Sequence, residues 1–394
     1  MNFSDYVGIT AEEFKENYID TGLVQVSHHH ELPLSIYTYG RKAVHENVWD
    51  RVTSRCRGII VNRDTGEVVA RPFEKFHNYG STSACVVVPN GQPVIWEKMD
   101  GFLCTAYRWE GKHYIASKGS FHSIHAKWAT AEWNRKLIES NRYTRPLMPG
   151  WTFVFEGLHP DLRIVVDYGK AKELVLLACI NNETGEEQSP QWLKEVSKFL
   201  GIRTPRQERM TLEEVHDQTG RTDHALSNTG LEEGYVTTWY RRGTTPYRLK
   251  LKYVEYLRLH RMVTGVSPRR IWEALATNGV GLDEYLNQST PWFAAFTKKW
   301  VKALRSEFAR IEHEASTRYT TVRETVRVKV GQQPYANLGD ERKAWAAEFT
   351  RPENKEFSSV LFAWLDNKDV SAVIWRKVKQ MTADANPMVD AHNT

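Results

Sequence analysis

Just past Lys252 the chain changes grammar, and that change limits its fold more than any other feature. Before it, from about Leu34, short runs rich in β-branched and aromatic residues are broken by turn residues. Gly58-Ile59-Ile60-Val61-Asn62, then Asp64-Thr65-Gly66, then Glu67-Val68-Val69-Ala70 reads as a hairpin in which glycine takes a positive φ. Residues 105–109 and 113–116 repeat the pattern around Glu110-Gly111-Lys112. Further strands are expected at 152–156, 174–180, 235–239 and 247–252, and helices at 122–140 and 190–200. After Tyr253 the signals are helical. Ser267-Pro268 offers an N-cap followed by proline at the first helical position. Trp292, Phe296, Trp300, Leu304 and Phe308 recur every four residues, the buried stripe of a long helix. Two more helices are expected at 340–349 and 369–381. The chain therefore reads as α+β: an antiparallel-sheet domain, residues 1–253, followed by an all-helical C-terminal domain, residues 254–394.

With 394 residues, 41% of them hydrophobic and 26% charged, the chain can bury a real core in each of two domains. No apolar run approaches the roughly 20 residues that cross a bilayer. The N-terminus, Met1-Asn2-Phe3-Ser4-Asp5-Tyr6, lacks the basic flank and apolar stretch of a signal peptide. Cys56, Cys85, Cys104 and Cys179 have no C-x-x-C spacing, which argues against zinc and against a disulfide framework. A reducing cytoplasm is the expected home. His28-His29-His30 reads as a solvated loop rather than a metal site, because consecutive side chains diverge and no second cluster follows. The net charge of +5 permits a polyanionic partner. From Val254 on there are 21 Lys/Arg against 17 Asp/Glu, so most of the surplus is in the tail.

The chemistry centres on Glu97-Lys98-Met99-Asp100-Gly101-Phe102. A Lys-x-Asp-Gly element alone is commonly an exposed turn. Here six blocks accompany it: Arg57-Gly58 and Arg71-Pro72-Phe73-Glu74-Lys75-Phe76 upstream, then Lys118-Gly119-Ser120, Phe155-Glu156-Gly157, Glu233-Gly234-Tyr235-Val236 and Lys250-Leu251-Lys252. Together, over roughly residues 37–252, they resemble the ATP-dependent covalent nucleotidyltransferases. In order and spacing they are similar to the phage-type, T4-like RNA ligase 1 family. The family block Arg-Pro-x-Glu-Lys-Phe-x-Asn is matched in full from Arg71 to Asn78.

The resemblance implies that Lys98 carries AMP. Its amine must be neutral to attack a phosphate, whereas an ordinary lysine titrates at about 10.4. Lys250 and Lys252, alternating on one strand, are expected to share a face, to disfavour the Lys98 ammonium and to hold the triphosphate. Arg57 and Lys75 match phosphate-binding positions, by fork and by point charge. Lys118 matches a basic position near ribose or phosphate, and Tyr37 an aromatic one bordering the nucleotide. Glu233 matches a carboxylate that helps hold Mg²⁺ (or Mn²⁺) through waters, and Glu156 a second, near metal or ribose. Asp100 matches a residue in contact with the active site or its metal. Phe102 stands where close relatives commonly have Ser, so polar contacts made there do not carry over.

The resemblance thus implies an ATP-dependent RNA ligase, joining 5′-phosphate and 3′-hydroxyl ends of single-stranded RNA or of a cleaved tRNA, in a host cytoplasm if phage-encoded. The helical tail is expected to position the RNA. DNA ligases and capping enzymes share the lysine but follow it with a small β-barrel. The RNA ligase 2 branch lacks as full an Arg71 to Asn78 match. An inactive RNA-binding module has no need of the lysine with its cations and acids.

Overall fold

The computed structural model describes residues 1–81, 86–141, 148–221, 226–227, 230–265, 268–277, 291–331 and 338–382. Its strands are β1 (Val24–His28), β2 (Leu34–Tyr39), β3 (Arg57–Asn62), β4 (Val68–Ala70), β5 (His77–Asn78), β6 (Val94–Lys98), β7 (Phe102–Trp109), β8 (Lys112–Ser117), β9 (Trp151–Leu158), β10 (Glu173–Asn181), β11 (Gln207–Glu208), β12 (Leu226–Ser227), β13 (Gly230–Leu231), β14 (Gly234–Trp239) and β15 (Tyr247–Lys252). They form three principal sheets, ordered β1-β2-β3-β4, β10-β9-β7-β8 and β11-β6-β14-β15-β5. Pairing is antiparallel except between β15 and β5.

Local chemistry accounts for the hairpins. Glu110 (φ 47°) and Gly111 (φ 84°) make the two-residue β7–β8 turn whose positive φ values match strand twist. The β9 strand shows why its sheet needs cover on both sides. Phe153 and Phe155 enter a core with Trp133 and Leu137 of the helix Ile124–Glu139, while Val154 packs with Phe73 and Leu103 on the other face. Burying a side chain the size of Leu137 contributes about 1.5–3 kcal/mol. Ser123 caps that helix and Ser189 caps Pro190–Leu200, each accepting a backbone N–H.

The chain divides into two units, Met1–Arg258 and Leu259–Thr394. Among the described residues every element from Val254 on is helical, the longest being Pro291–Gly331. Its core gathers Leu304, Ile311, Val322, Phe349 and Leu361, with Trp300 and Phe308 packed against it. The side chains of Trp292 and Phe296, together with Ser267 and Cys85, lie outside the described residues.

Two local expectations change. His29 is buried, not solvated: its Nδ1 accepts from the Glu31 and Leu32 N–H groups, and its ring packs on Phe121 and His122. The helices Phe3–Val7 and Ala11–Phe14 were not expected, and they cover one face of the first sheet through Phe3 and Phe14. No described helix is long and apolar enough to cross a membrane.

Candidate active site

Three strands end side by side. Gly234, first residue of β14, is paired with Lys98, last of β6, and with Lys252, last of β15. This register leaves Glu233, one residue earlier, between the two lysines. Its Oε2 lies 2.7 Å from Lys98 Nζ and its Oε1 2.7 Å from Lys252 Nζ, and the residue is only 2% exposed. Gly234 is required here: at φ 145° a Cβ would sit 2.1 Å from the Leu251 carbonyl oxygen.

Lys98 does not have the charge state expected of it. Burial alone would push its ammonium down, but Glu233, Glu156 and Asp100 outweigh burial and hold it above its ordinary value. The effect expected of the β15 lysines is outweighed by Glu233, the acid between Lys98 and Lys252. The depressed amine is instead Lys250, brought down to about 7 by burial and then by Lys75, Lys98, Lys252 and Arg57. Burial also raises Glu156 to about 7, against the pull of Lys98, and its Oε1 accepts the Gly101 N–H at 3.0 Å. Glu233 stays below the usual carboxylate range, because Lys98 and Lys252 overcome the cost of its burial.

A second group of cations faces this one. Lys75 lies 4.4 Å from the Trp49 ring, Lys118 4.7 Å from Tyr39, Arg57 5.4 Å and Lys250 5.7 Å from Phe76. None of these four is in an ion pair among the described residues, and Arg57 Nη1 is buried without a hydrogen-bond partner. His77 between them is driven down to about 4, by burial and by Lys75 and Lys250. Such a concentration of uncompensated charge fits a polyphosphate. Gly58, at φ 96°, lets the Lys118 segment approach, since a Cβ there would meet the Lys118 carbonyl 2.8 Å away.

Tyr37 is not part of this arrangement. It stacks on Phe3 at 4.9 Å and meets Phe14 edge-on, inside the N-terminal aromatic core. Tyr39, two residues on, is the aromatic that reaches the cations, and Lys118, Arg57 and Lys75 overcome its burial to lower its pKa. Asp100 is locked into the protein rather than open to a ligand. Its Oδ2 accepts the Val165 and Val166 N–H groups, at 2.8 and 2.7 Å, and its Oδ1 accepts the Tyr256 hydroxyl at 2.7 Å. Tyr256, also missed, carries Lys252 over its ring at 4.9 Å. Both Asp100 oxygens are thus engaged by the protein's own donors. The Arg71 to Asn78 block divides in the same way. Arg71 binds Glu74, Thr245 and the Glu183 carbonyl, and so fixes the segment that presents Lys75 and Phe76. The Phe102 ring faces His125 and Trp128, so it offers nothing polar to the site.

A divalent metal has two carboxylates to draw on, the buried Glu233 and the half-buried Glu156, and no cluster of three metal-competent groups among the described residues. That donor set fits an ion that keeps its waters and takes its remaining ligands from substrate phosphates.

The chain resembles known proteins. A candidate RNA ligase of Thermovibrio ammonificans is 27% identical over 209 residues, which are 52% of this chain and 52% of that protein. An RNA ligase of Rhodothermus phage RM378 is 23% identical over 371 residues, 80% of this chain and 81% of the relative. The chain thus spans about half of the first relative's length and most of the second's. Among solved structures, a mutant of Naegleria gruberi RNA ligase with ATP and Mn matches 43% of this chain and 52% of that one, at 15% identity and a TM-score of 0.32. The RNA ligase family model matches residues 55–256, just over half of the chain, including the strands that bring Lys98, Glu233 and Lys252 together, so the chain belongs to the T4-like RNA ligase family.

Proposed function

We propose that this chain is an ATP-dependent RNA ligase working through a lysyl-AMP intermediate. The observation that carries the reading is the Lys98–Glu233–Lys252 bridge set against the unpaired cations Arg57, Lys75, Lys118 and Lys250. One end supplies a lysine nucleophile, the other a seat for phosphates.

In the first step the deprotonated Lys98 Nζ attacks the α-phosphorus of ATP; a P–N bond forms and the bond to the bridging oxygen breaks, releasing pyrophosphate. A 5′-phosphate oxygen of RNA then displaces the lysine, the P–N bond breaks and the amine regains a proton. Finally a 3′-hydroxyl loses its proton as its oxygen attacks that 5′-phosphorus, and AMP departs. Mg²⁺ (or Mn²⁺) held through Glu233 and Glu156 would supply positive charge at the phosphates and offset the acids that keep Lys98 protonated. Arg57, Lys75 and Lys250 bind and orient the phosphates, while Glu156, fixed by the Gly101 N–H, faces Lys98.

Residues 1–253 form the adenylyltransferase domain in this reading. Residues 254–394 select a structured RNA such as a cleaved tRNA. Lys298, Lys302 and Arg305, exposed and three to four residues apart on the long helix, supply a cationic stripe for it.

ATP labelled at the α-phosphate, with Mg²⁺, should label the protein; pyrophosphate should reverse the label and Lys98→Ala abolish it. A single-stranded RNA with a 5′-phosphate and 3′-hydroxyl should then circularise. Joining of nicked duplex DNA alone would replace this reading with a DNA ligase. Reversing the charge of Lys298, Lys302 and Arg305 should remove a preference for cleaved tRNA over a plain oligonucleotide; an unchanged preference would exclude the tail's role.

A further inference from the structure

Beside the cations proposed to bind phosphate lies an open cleft of about 730 Å³, lined by β1, the end of β2 and the Lys118-Gly119 segment. Its size is that of a ligand site, about 300–1,000 Å³. No carboxylate lines it among the described residues. Two cations do, Lys118 and the exposed Arg41, together with the neutral hydrogen-bonding side chains of Gln25, Ser27 and Thr38. Thr38 is 9% exposed, and its buried hydroxyl has no hydrogen-bond partner. The β1 strand is the edge of its sheet, paired with β2 alone, so one row of its backbone groups faces outward. Tyr39 and Lys118 belong both to this cleft and to the cation group around Arg57 and Lys75. The cleft is thus a continuation of the phosphate site.

We propose that this cleft seats the single-stranded RNA that runs on from the 5′-phosphate end, an inference that rests on the ligase reading. Backbone phosphates lie on Lys118 and Arg41. Ribose 2′-hydroxyls meet Gln25, Ser27 and Thr38, groups that both donate and accept. The absence of acids from the walls removes the repulsion a polyanion would meet, and the neutral polar side chains give RNA an advantage over DNA. ATP needs none of this length, because its phosphates are served by Arg57, Lys75 and Lys250.

The test uses the full chain and a fluorescent eight-nucleotide RNA carrying a 5′-phosphate. Arg41→Glu and Gln25→Glu, both at exposed positions, should each weaken RNA binding by about tenfold, and Arg41→Lys should restore it. For Arg41→Glu the dependence of log affinity on log salt should also flatten by about 0.7, one phosphate contact's share on a single strand. Wild-type protein should bind the matching DNA more weakly, and Gln25→Ala with Ser27→Ala should narrow that gap. Unchanged RNA affinity in both charge variants overturns the proposal. So does a parallel loss of AMP labelling, which would assign the cleft to ATP. A wild-type chain that is never labelled by ATP would instead defeat the ligase reading, and the affinity comparison would still decide whether RNA occupies the cleft.

Discussion

Lys98 Nζ and Glu233 Oε2 lie 2.7 Å apart in a largely buried site, and this pairing favours the Lys98 ammonium in the free protein. The bridge is therefore both a support and a brake. Glu233→Gln removes the charge that holds the proton, and Lys98 should then titrate lower. An amine-acylating reagent at pH 8 should modify Lys98 faster in the variant than in wild type. Charging with AMP should nonetheless fall by on the order of 10²-fold, the usual cost of losing one preorganised electrostatic partner. Slower acylation in the variant would refute the bridge as the source of the raised pKa.

Lys250 predicts a proton movement of known sign. Burial, Lys75, Lys98, Lys252 and Arg57 bring it to about 7, so at pH 8 it is mostly neutral in the free protein. Pyrophosphate placed against it favours the ammonium, and binding should therefore take up a proton, by about one half or more. At pH 6 the group is already charged and its uptake should vanish. Calorimetry in two buffers of different ionisation enthalpy reads the number directly, and Lys250→Met should remove the uptake at pH 8. Equal uptake by wild type and variant would contradict the assignment.

The strands and the order of the site residues were legible because both are written locally. Alternation and turn residues marked β3, β4, β7, β8, β14 and β15. Choices that depend on distant cover were not legible. Tyr37 and Tyr39 are two residues apart and alternate onto the same nominal face, so no periodicity separates them. The helices bearing Phe3 and Phe14 decide it, by covering Tyr37 and stopping short of Tyr39. The charge state of Lys98 depends on Glu233, 135 residues away, and the role of Asp100 on Tyr256, 156 residues away. Sequence placed these groups in one site without saying which oxygen each nitrogen would meet.

Tyr256 tests whether Asp100 acts by position. Its hydroxyl is a donor to a buried carboxylate whose other oxygen holds the Val165 and Val166 N–H groups. Tyr256→Phe keeps the ring under Lys252 and deletes that one hydrogen bond. Stability should fall by about 1.5–3 kcal/mol, the range for a bond to a charged group. AMP charging should slow through its maximal rate, with the ATP concentration for half-saturation within about twofold, because the cations proposed to bind phosphate are untouched. A change confined to ATP affinity would show that Asp100 serves the nucleotide directly.

Glu187 and Arg248 bear on stability rather than chemistry. They form a buried ion pair, both at 9% exposure or less, and the Arg248 guanidinium lies 4.5 Å over the Phe73 ring. Arg248 precedes Lys250 by two on β15, so the pair anchors the strand that presents Lys250 and Lys252. Glu187→Ala leaves the guanidinium buried without its carboxylate, which costs about 3–5 kcal/mol. Replacing both partners with apolar residues, Glu187→Leu with Arg248→Met, removes the stranded charge and should recover most of that loss. Urea unfolding of the three proteins measures both effects. If the double variant is no more stable than Glu187→Ala, the single variant's loss comes from packing around residue 187 and not from an orphaned charge.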